Sequence, residues 1–224
     1  MLEFSIKPMP VTPAINVLNT AAGLSILLCY ITMIHAGRKD GAIGVPLSVA
    51  ILYVAWDLNW LVENVRFAVR GGPLYIFMLP YVLWPFLSLP LLALVAREQA
   101  RLYLGRASSQ AYATAGAVLV TATAMAATGA ELGFYRGHIN LGYIVAMSAS
   151  AIFLGDLLRF ADPRGKRLSI LLFRAVGVQL FVIADLMAQF SPLPAVTGAV
   201  CLLLDGIYAA KLATLKGAPH SCIA

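Results

Sequence analysis

The stretch from Leu193 to Ala213 reads LPAVTGAVCLLLDGIYAAKLA, with Asp205 and Lys211 its two charged side chains. A helix rising about 1.5 Å per residue covers ~30 Å over such a run, enough to cross the hydrocarbon of a bilayer. Hydrocarbon offers no partner to a backbone N–H or C=O, so a run of this kind satisfies its backbone as a helix. Working outward, comparable apolar stretches lie at 168–190, 138–158, 109–129, 73–96, 42–67 and 14–36, bounded by charged or Gly/Pro-rich breaks. Ser191-Pro192-Leu193-Pro194 joins the last two stretches and predicts a tight antiparallel pair. The chain therefore reads as an all-α membrane protein, a seven-transmembrane-helix bundle forming a single domain over residues 1–224.

Composition agrees. Hydrophobic residues make up 61% of the 224 and charged residues only 12%, where a soluble domain carries about 25% charged residues. That leaves too little polar surface to cover a globule in water, and no soluble domain fits beside seven spans. The net charge of +6 does not imply nucleic acid, because most basic residues fall in short loops, where they set topology. One side carries Arg38, Lys39, Arg97, Arg101, Arg106, Arg159, Arg164, Lys166, Arg167, Lys211 and Lys216. The other carries Lys7, Arg66, Arg70 and Arg136. The positive-inside rule then puts the C-terminus in the cytoplasm and the N-terminus outside. The start of the chain, with Glu3, Lys7, Pro10 and Pro13, does not read as a removable signal peptide. Cys29, Cys201 and Cys222 have no ligand-type spacing and suggest neither a disulfide framework nor a metal site. His35, His138 and His220 lie near span ends or in the tail and do not look like ligands.

Acidic side chains inside spans are the informative positions, since a charge at the bilayer centre costs several kcal/mol, by roughly 3 or far more on different scales. Asp57 lies well inside the second span and Asp205 midway along the seventh. Two carboxyl groups facing one dry cavity do not both ionise readily, and the one that keeps its proton can act as a general acid. The same pair also reads as two structural hydrogen-bonded acids, or as a proton or cation relay. For both acids to share a cavity, the second and seventh helices must be neighbours.

Tyr53, Asp57, Trp60 and Asn64 recur at helical spacing on one face, with Trp56 beside them. Tyr208 lies one turn beyond Asp205, and Tyr81 and Trp84 lie in the third span. Aromatic faces around a buried acid suit a reaction passing through positive charge, because ring quadrupoles attract cations. Interfacial aromatics are the plainer reading, and for Tyr81 and Trp84 it stays open. Pro80, Pro85 and Pro90 should bend the third helix, which either widens a cavity or is ordinary membrane-helix proline. Glu63 is expected to pair with Arg66 or Arg70 at the interface. Arg174, two turns into the sixth span, needs an acidic partner, and Asp156 lies at a suitable depth. Arg174 then serves structure, or orients a catalytic acid or a polar substrate head. No role is assigned to Asp185.

Several short islands carry a resemblance. Tyr30-Ile31-Thr32-Met33-Ile34, Lys39-Asp40, Gly44, Ala55-Trp56-Asp57 with Trp60, Arg164-Gly165, Arg174 with Gly177, and Asp205-Gly206-Ile207-Tyr208 occur in order along the chain. In these the chain resembles the small integral-membrane terpene cyclases of fungal meroterpenoid and indole-diterpene pathways, and their bacterial relatives that cyclise prenylated indoles. The family typically has Glu where this chain has Asp57, a departure of one methylene. The resemblance implies that Asp57 and Asp205 are the functional acids. Tyr53, Trp56, Trp60, Asn64, Tyr81, Trp84, Arg174 and Tyr208 would then contact substrate. It implies protonation of a terminal alkene or epoxide on a prenylated aromatic or indole substrate, followed by carbocation polyene cyclisation, with no metal and no organic cofactor. The expected partners are that hydrophobic substrate and the lipid bilayer, with no nucleic acid. The expected location is a bacterial cytoplasmic membrane rather than the endoplasmic reticulum.

The rival from another class is a proton-coupled small-molecule transporter. Mid-membrane acids and a proline-bent helix fit it, while the aromatic surroundings and the lack of an internal repeat count against it. A retinal protein fits poorly, because Asp205 occupies the place where the last helix would carry its lysine.

Overall fold

A computed structural model describes residues 12–71, 75–103, 107–132, 139–188 and 192–217. Within them the chain forms seven helices: α1 (Pro13–Asp40), α2 (Leu47–Val69), α3 (Met78–Tyr103), α4 (Ala107–Leu132), α5 (Asn140–Phe160), α6 (Leu168–Met187) and α7 (Leu193–Gly217). Six of them are long and apolar enough to cross a membrane. The exception, α2, is long enough, but it carries Asp57, Asn59, Glu63 and Asn64 along its length. The chain is an all-α, membrane-embedded protein.

Local chemistry sets the helix ends. Thr12 caps α1, its Oγ1 accepting the Ile15 N–H at 3.3 Å, with Pro13 at the first helical position, where its missing N–H leaves nothing unpaired. Gly41 ends α1 in the left-handed region at φ 65, and Arg38 and Lys39 complement the dipole of the last turn. The third helix starts at Met78, later than the apolar run suggests, so Pro80 sits in its first turn and only Pro85 and Pro90 lie inside. It then runs past the apolar stretch through Arg97 to Tyr103.

Packing follows the circuit α1–α6–α7–α5–α2–α3 and back to α1, so six helices close a ring. Outside that ring α4 lies against α2 and α3. This order corrects one expectation: α2 and α7 do not pack along each other, because α5 stands between them. Small residues allow the closest approaches. A Cβ on Gly177 would lie 2.8 Å from Ile26 Cδ1, and one on Gly23 would lie 2.7 Å from Pro80 Cβ. Side chains bond across helices to backbone carbonyls: Ser25 Oγ donates to Phe173 O at 2.7 Å and Trp84 Nε1 to Gly23 O at 3.1 Å. The polar residues of α2 are likewise met by protein. Asn59 Nδ2 donates to Ala55 O at 2.8 Å and to Ala122 O of α4 at 3.1 Å.

The end of the bundle that gathers the α1–α2 loop, the α5–α6 loop and the C-terminus of α7 carries a polar knot. Arg167 pairs with Asp40 at 2.7 Å, and the Ile43 N–H donates to Glu98 Oε2 at 2.6 Å. Buried Lys166 pairs with Asp156 at 3.0 Å, while Lys216 Nζ donates to Lys166 O at 2.7 Å. Arg164 donates from its backbone N–H, Nε and Nη2 to Asp162 at the loop surface and holds that carboxyl below its usual range. At this basic end the two loops touch backbone to backbone. A Cβ on Gly165 would lie 2.1 Å from Ala42 O, and one on Gly44 would lie 2.7 Å from the Gly165 carbonyl carbon. The starts of α2 and α6 are thereby held level.

Candidate active site

Inside the ring is a cavity walled by α1, α2, α3, α5 and α6. The centres of water-sized molecules can range over about 140 Å³ within it. From α1 it receives Asn19, Ile26, Cys29 and Tyr30, and from α2 Tyr53, Trp56, Asp57 and Trp60. Phe77 comes from the turn before α3, Tyr81 and Trp84 from its start, Tyr143 and Val145 from α5, and Arg174, Phe181 and Asp185 from α6. Asn19, Phe77, Tyr143 and Asp185 lie near the ends of their helices remote from the basic knot. Tyr30, Asp57 and Arg174 lie deeper. The cavity thus extends from the far end of the bundle to its middle.

Nine aromatic side chains line the cavity, and they brace one another. Tyr30 meets Tyr53 edge-on at 5.6 Å, as Trp56 meets Trp60 at the same separation. Trp60 lies 5.4 Å from Tyr81, which lies 4.5 Å from Trp84 and 5.9 Å from Phe181. All three tryptophans of the chain therefore face one space. Gly142 of α5 makes room for Trp56, since a Cβ there would lie 2.5 Å from its Cζ2.

Asp57 is the buried acid of the deep end, 1% exposed. Tyr30 Oη donates to its Oδ2 at 3.0 Å, whereas Oδ1 has no hydrogen-bond partner among the described residues. Ser88 of α3 lies nearby without closing a bond to it. The carboxyl is thus held at one oxygen by Tyr30, with the Ser88 hydroxyl beside it.

Arg174 shares the deep end. Its Nη2 pairs with Asp205 Oδ1, its Nη1 donates to Ser150 Oγ at 2.8 Å, and its guanidinium lies 5.3 Å over the Phe153 ring. The expected partner, Asp156, is instead held by Lys166. Lys166 sits in the α5–α6 loop next to the end of α5, so it reaches Asp156 first. Asp205 lies behind Arg174 rather than on the cavity wall, and Tyr53 lies within reach of the same guanidinium.

Of the substrate contacts expected from the sequence, Tyr53, Trp56, Trp60, Tyr81, Trp84 and Arg174 line the cavity. Asn64 and Tyr208 do not: Asn64 donates back to Trp60 O at 2.8 Å, and Tyr208 packs against Phe153 at 6.2 Å. Glu63 pairs with Arg66 at 2.8 Å, as expected. Cys29 and Cys201 are free and buried, and Cys222 lies outside the described residues. Two wall residues that matter are not evident from the sequence. Tyr30 stands out there only as part of a short island, and Tyr143 not at all. Tyr143 Oη donates to Asp185 Oδ2 at 2.5 Å, which puts a second tyrosine–aspartate pair on the same cavity. An acid in a span is a sufficient signal to mark Asp185, but nothing along the chain joins residue 143 to residue 185.

No protein-family model, curated protein or solved structure matches this chain.

Proposed function

We propose that this membrane protein is an acid-initiated terpene cyclase acting on a prenylated aromatic or indole substrate. The observation that carries this reading is Asp57, a buried carboxyl with one oxygen held by Tyr30 and the other unpartnered among the described residues, facing a cavity lined by aromatic rings. As the neutral acid, Asp57 gives its proton to the terminal alkene, or to the oxygen of a terminal epoxide. A C–H bond forms, or a C–O bond breaks, and the positive charge appears on a tertiary carbon. Ring closures carry the charge along the chain beneath Trp56, Trp60, Tyr81 and Trp84, whose faces attract it. Loss of a proton from carbon, or capture by the head group followed by proton loss, ends the cascade. One proton enters and one leaves, so the product is an isomer of the substrate. The cascade requires that water, which would otherwise trap the cation, be kept out of the cavity while the substrate fills it.

Asp205 serves this site through Arg174, which it neutralises and holds. The cytoplasmic C-terminus and external N-terminus, and a bacterial cytoplasmic membrane as the location, belong to the same reading.

The test uses purified protein in lipid nanodiscs, incubated with farnesylated aromatic olefins and their terminal epoxides. A product of unchanged mass and altered retention is expected, and Asp57→Asn should lower its rate by about 100-fold or more while insertion and helix content are retained. Unchanged substrate across the panel, together with substrate uptake by reconstituted vesicles, would replace the cyclase by a transporter.

A further inference from the structure

Asp185 and Tyr143 are not used by the chemistry above, yet they face the same cavity. Their depth is informative. With the starts of α2 and α6 held level by the Gly44–Gly165 contact, Asp57 lies about 15 Å along α2 and Asp185 about 25 Å along α6, at a rise of about 1.5 Å per residue. The second carboxyl is therefore ~10 Å nearer the far end of the bundle, by the same rise per residue. It lies beside Tyr81, with Asn19 and Phe77 at the same end of the cavity. Tyr143 engages Oδ2 at 2.5 Å, and none of the described residues donates to Oδ1.

We infer that Asp185, positioned by Tyr143, binds the head group of the substrate by accepting a hydrogen bond from an N–H or O–H on the aromatic ring. This rests on the cyclase reading for the fate of the bound molecule, but the recognition is a property of the cavity itself. An amphiphile has one orientation that satisfies both ends of this space. Its polar head stays near the bilayer interface against a carboxylate, and its hydrocarbon tail reaches the aromatic deep end, where the terminal double bond meets Asp57. Reversing it would set hydrocarbon against the Asp185 acceptor, leaving that buried polar group unpaired, and would carry the terminal double bond away from Asp57. Asp185 thus selects substrates that carry a donor on the head, and sets which end of the chain is protonated.

The three tryptophans on the wall provide a binding signal independent of turnover. The probes are a farnesylated phenol and its methyl ether, which differ by the hydrogen-bond donor, titrated against the nanodisc protein with tryptophan excited at wavelengths that phenols do not absorb. The wild type should bind the phenol about tenfold more tightly than the ether, the size expected for a hydrogen bond to a charged group. In Asp185→Ala that preference should vanish, the phenol binding as weakly as the ether, and Tyr143→Phe should reduce it. Where turnover is measured, the loss in Asp185→Ala should fall on KM. Equal binding of phenol and ether by the wild type, binding of neither, or a preference that survives in Asp185→Ala overturns the inference. The wild-type comparison decides the matter even if a variant does not fold. Discrimination without any product would retain this inference and remove the cyclase.

Discussion

A guanidinium in a hydrocarbon interior needs a counter-charge, and Arg174 meets that need with Asp205 while Ser150 and the Phe153 ring take up the rest of its surface. Removing one partner of such a pair leaves the other charge buried alone, at about 3–5 kcal/mol. Asp205→Leu should therefore lower the unfolding temperature in detergent far more than Arg174→Met/Asp205→Leu, which removes both charges together. Turnover should be lost in both variants, because Arg174 also lines the cavity. A double variant as unstable as Asp205→Leu would show that the single variant's loss does not come from leaving the Arg174 charge unpaired. What is legible residue by residue follows from this energetics. The cost of placing a carboxyl in a span marks Asp57 and Asp205, and the same cost marks Arg174 as needing an acid. Helix depth alone points to Asp156 as that acid, and wrongly. Depth gives one coordinate, and the choice between Asp156 and Asp205 depends on the two lateral ones. Tyr30 and Tyr143 escape the sequence for the same reason, being defined by what they touch on another helix.

Among the elements, the α1–α2 and α5–α6 loops fix the register of the bundle, and their glycines separate two physical effects. Gly165 has φ 67 and faces Ala42 O so closely that a Cβ would lie 2.1 Å away, whereas Gly71 has φ 77 and none of the described residues within 4 Å of such a Cβ. Gly71→Ala should show backbone strain alone, about 1 kcal/mol. Gly165→Ala adds a collision between two backbones that cannot move apart without opening the knot, and should lower the unfolding temperature by at least twice as much. Equal shifts for the two variants would mean that the loops do not brace the bundle. The helices themselves are legible in the sequence, since length and hydropathy suffice for a segment that must satisfy its backbone internally. Which face of each helix turns inward is not. Leu24, Leu28 and Ile31 of α1 are exposed while Leu27 and Met33 are buried, and all are equally apolar. In water a polar face marks the outside; beside lipid both sides are hydrocarbon. Ring order is hidden for that reason, and the supposed α2–α7 contact fails with it.

At the scale of the whole molecule, the number of crossings decides which side each terminus occupies. Six helices pass as spans on hydropathy alone, and α2 falls short because it carries the acid and amides that the bundle uses. If α2 stayed on one side, both termini would share a compartment. The geometry argues that it crosses. Its first residue follows the loop held against Gly165 at the basic end, it runs for 23 residues between α3 and α5, and Arg66 and Arg70 stand at its far end. Its polar groups meet protein: Asp57 is bonded by Tyr30, and Asn59 reaches Ala122 of α4. The helix outside the ring thus covers the span least able to face lipid. In the topology proposed above, seven crossings put the termini on opposite sides, and the positive-inside rule puts the basic knot, with Arg167, Lys166 and Lys216, at the cytoplasmic end. A phosphatase that folds only outside the cytoplasm, fused after Gly217, should therefore be inactive, and the same enzyme inserted at Gly71 should be active. Activity after Gly217 with none at Gly71 would invert the bundle. Five spans separate these two positions whether or not α2 crosses, so α2 is tested by Lys39→Cys, probed with a membrane-impermeant maleimide from outside intact cells. Protection is expected for a crossing α2 with the basic knot in the cytoplasm, and labelling alongside an inactive fusion after Gly217 would remove α2 from the spans.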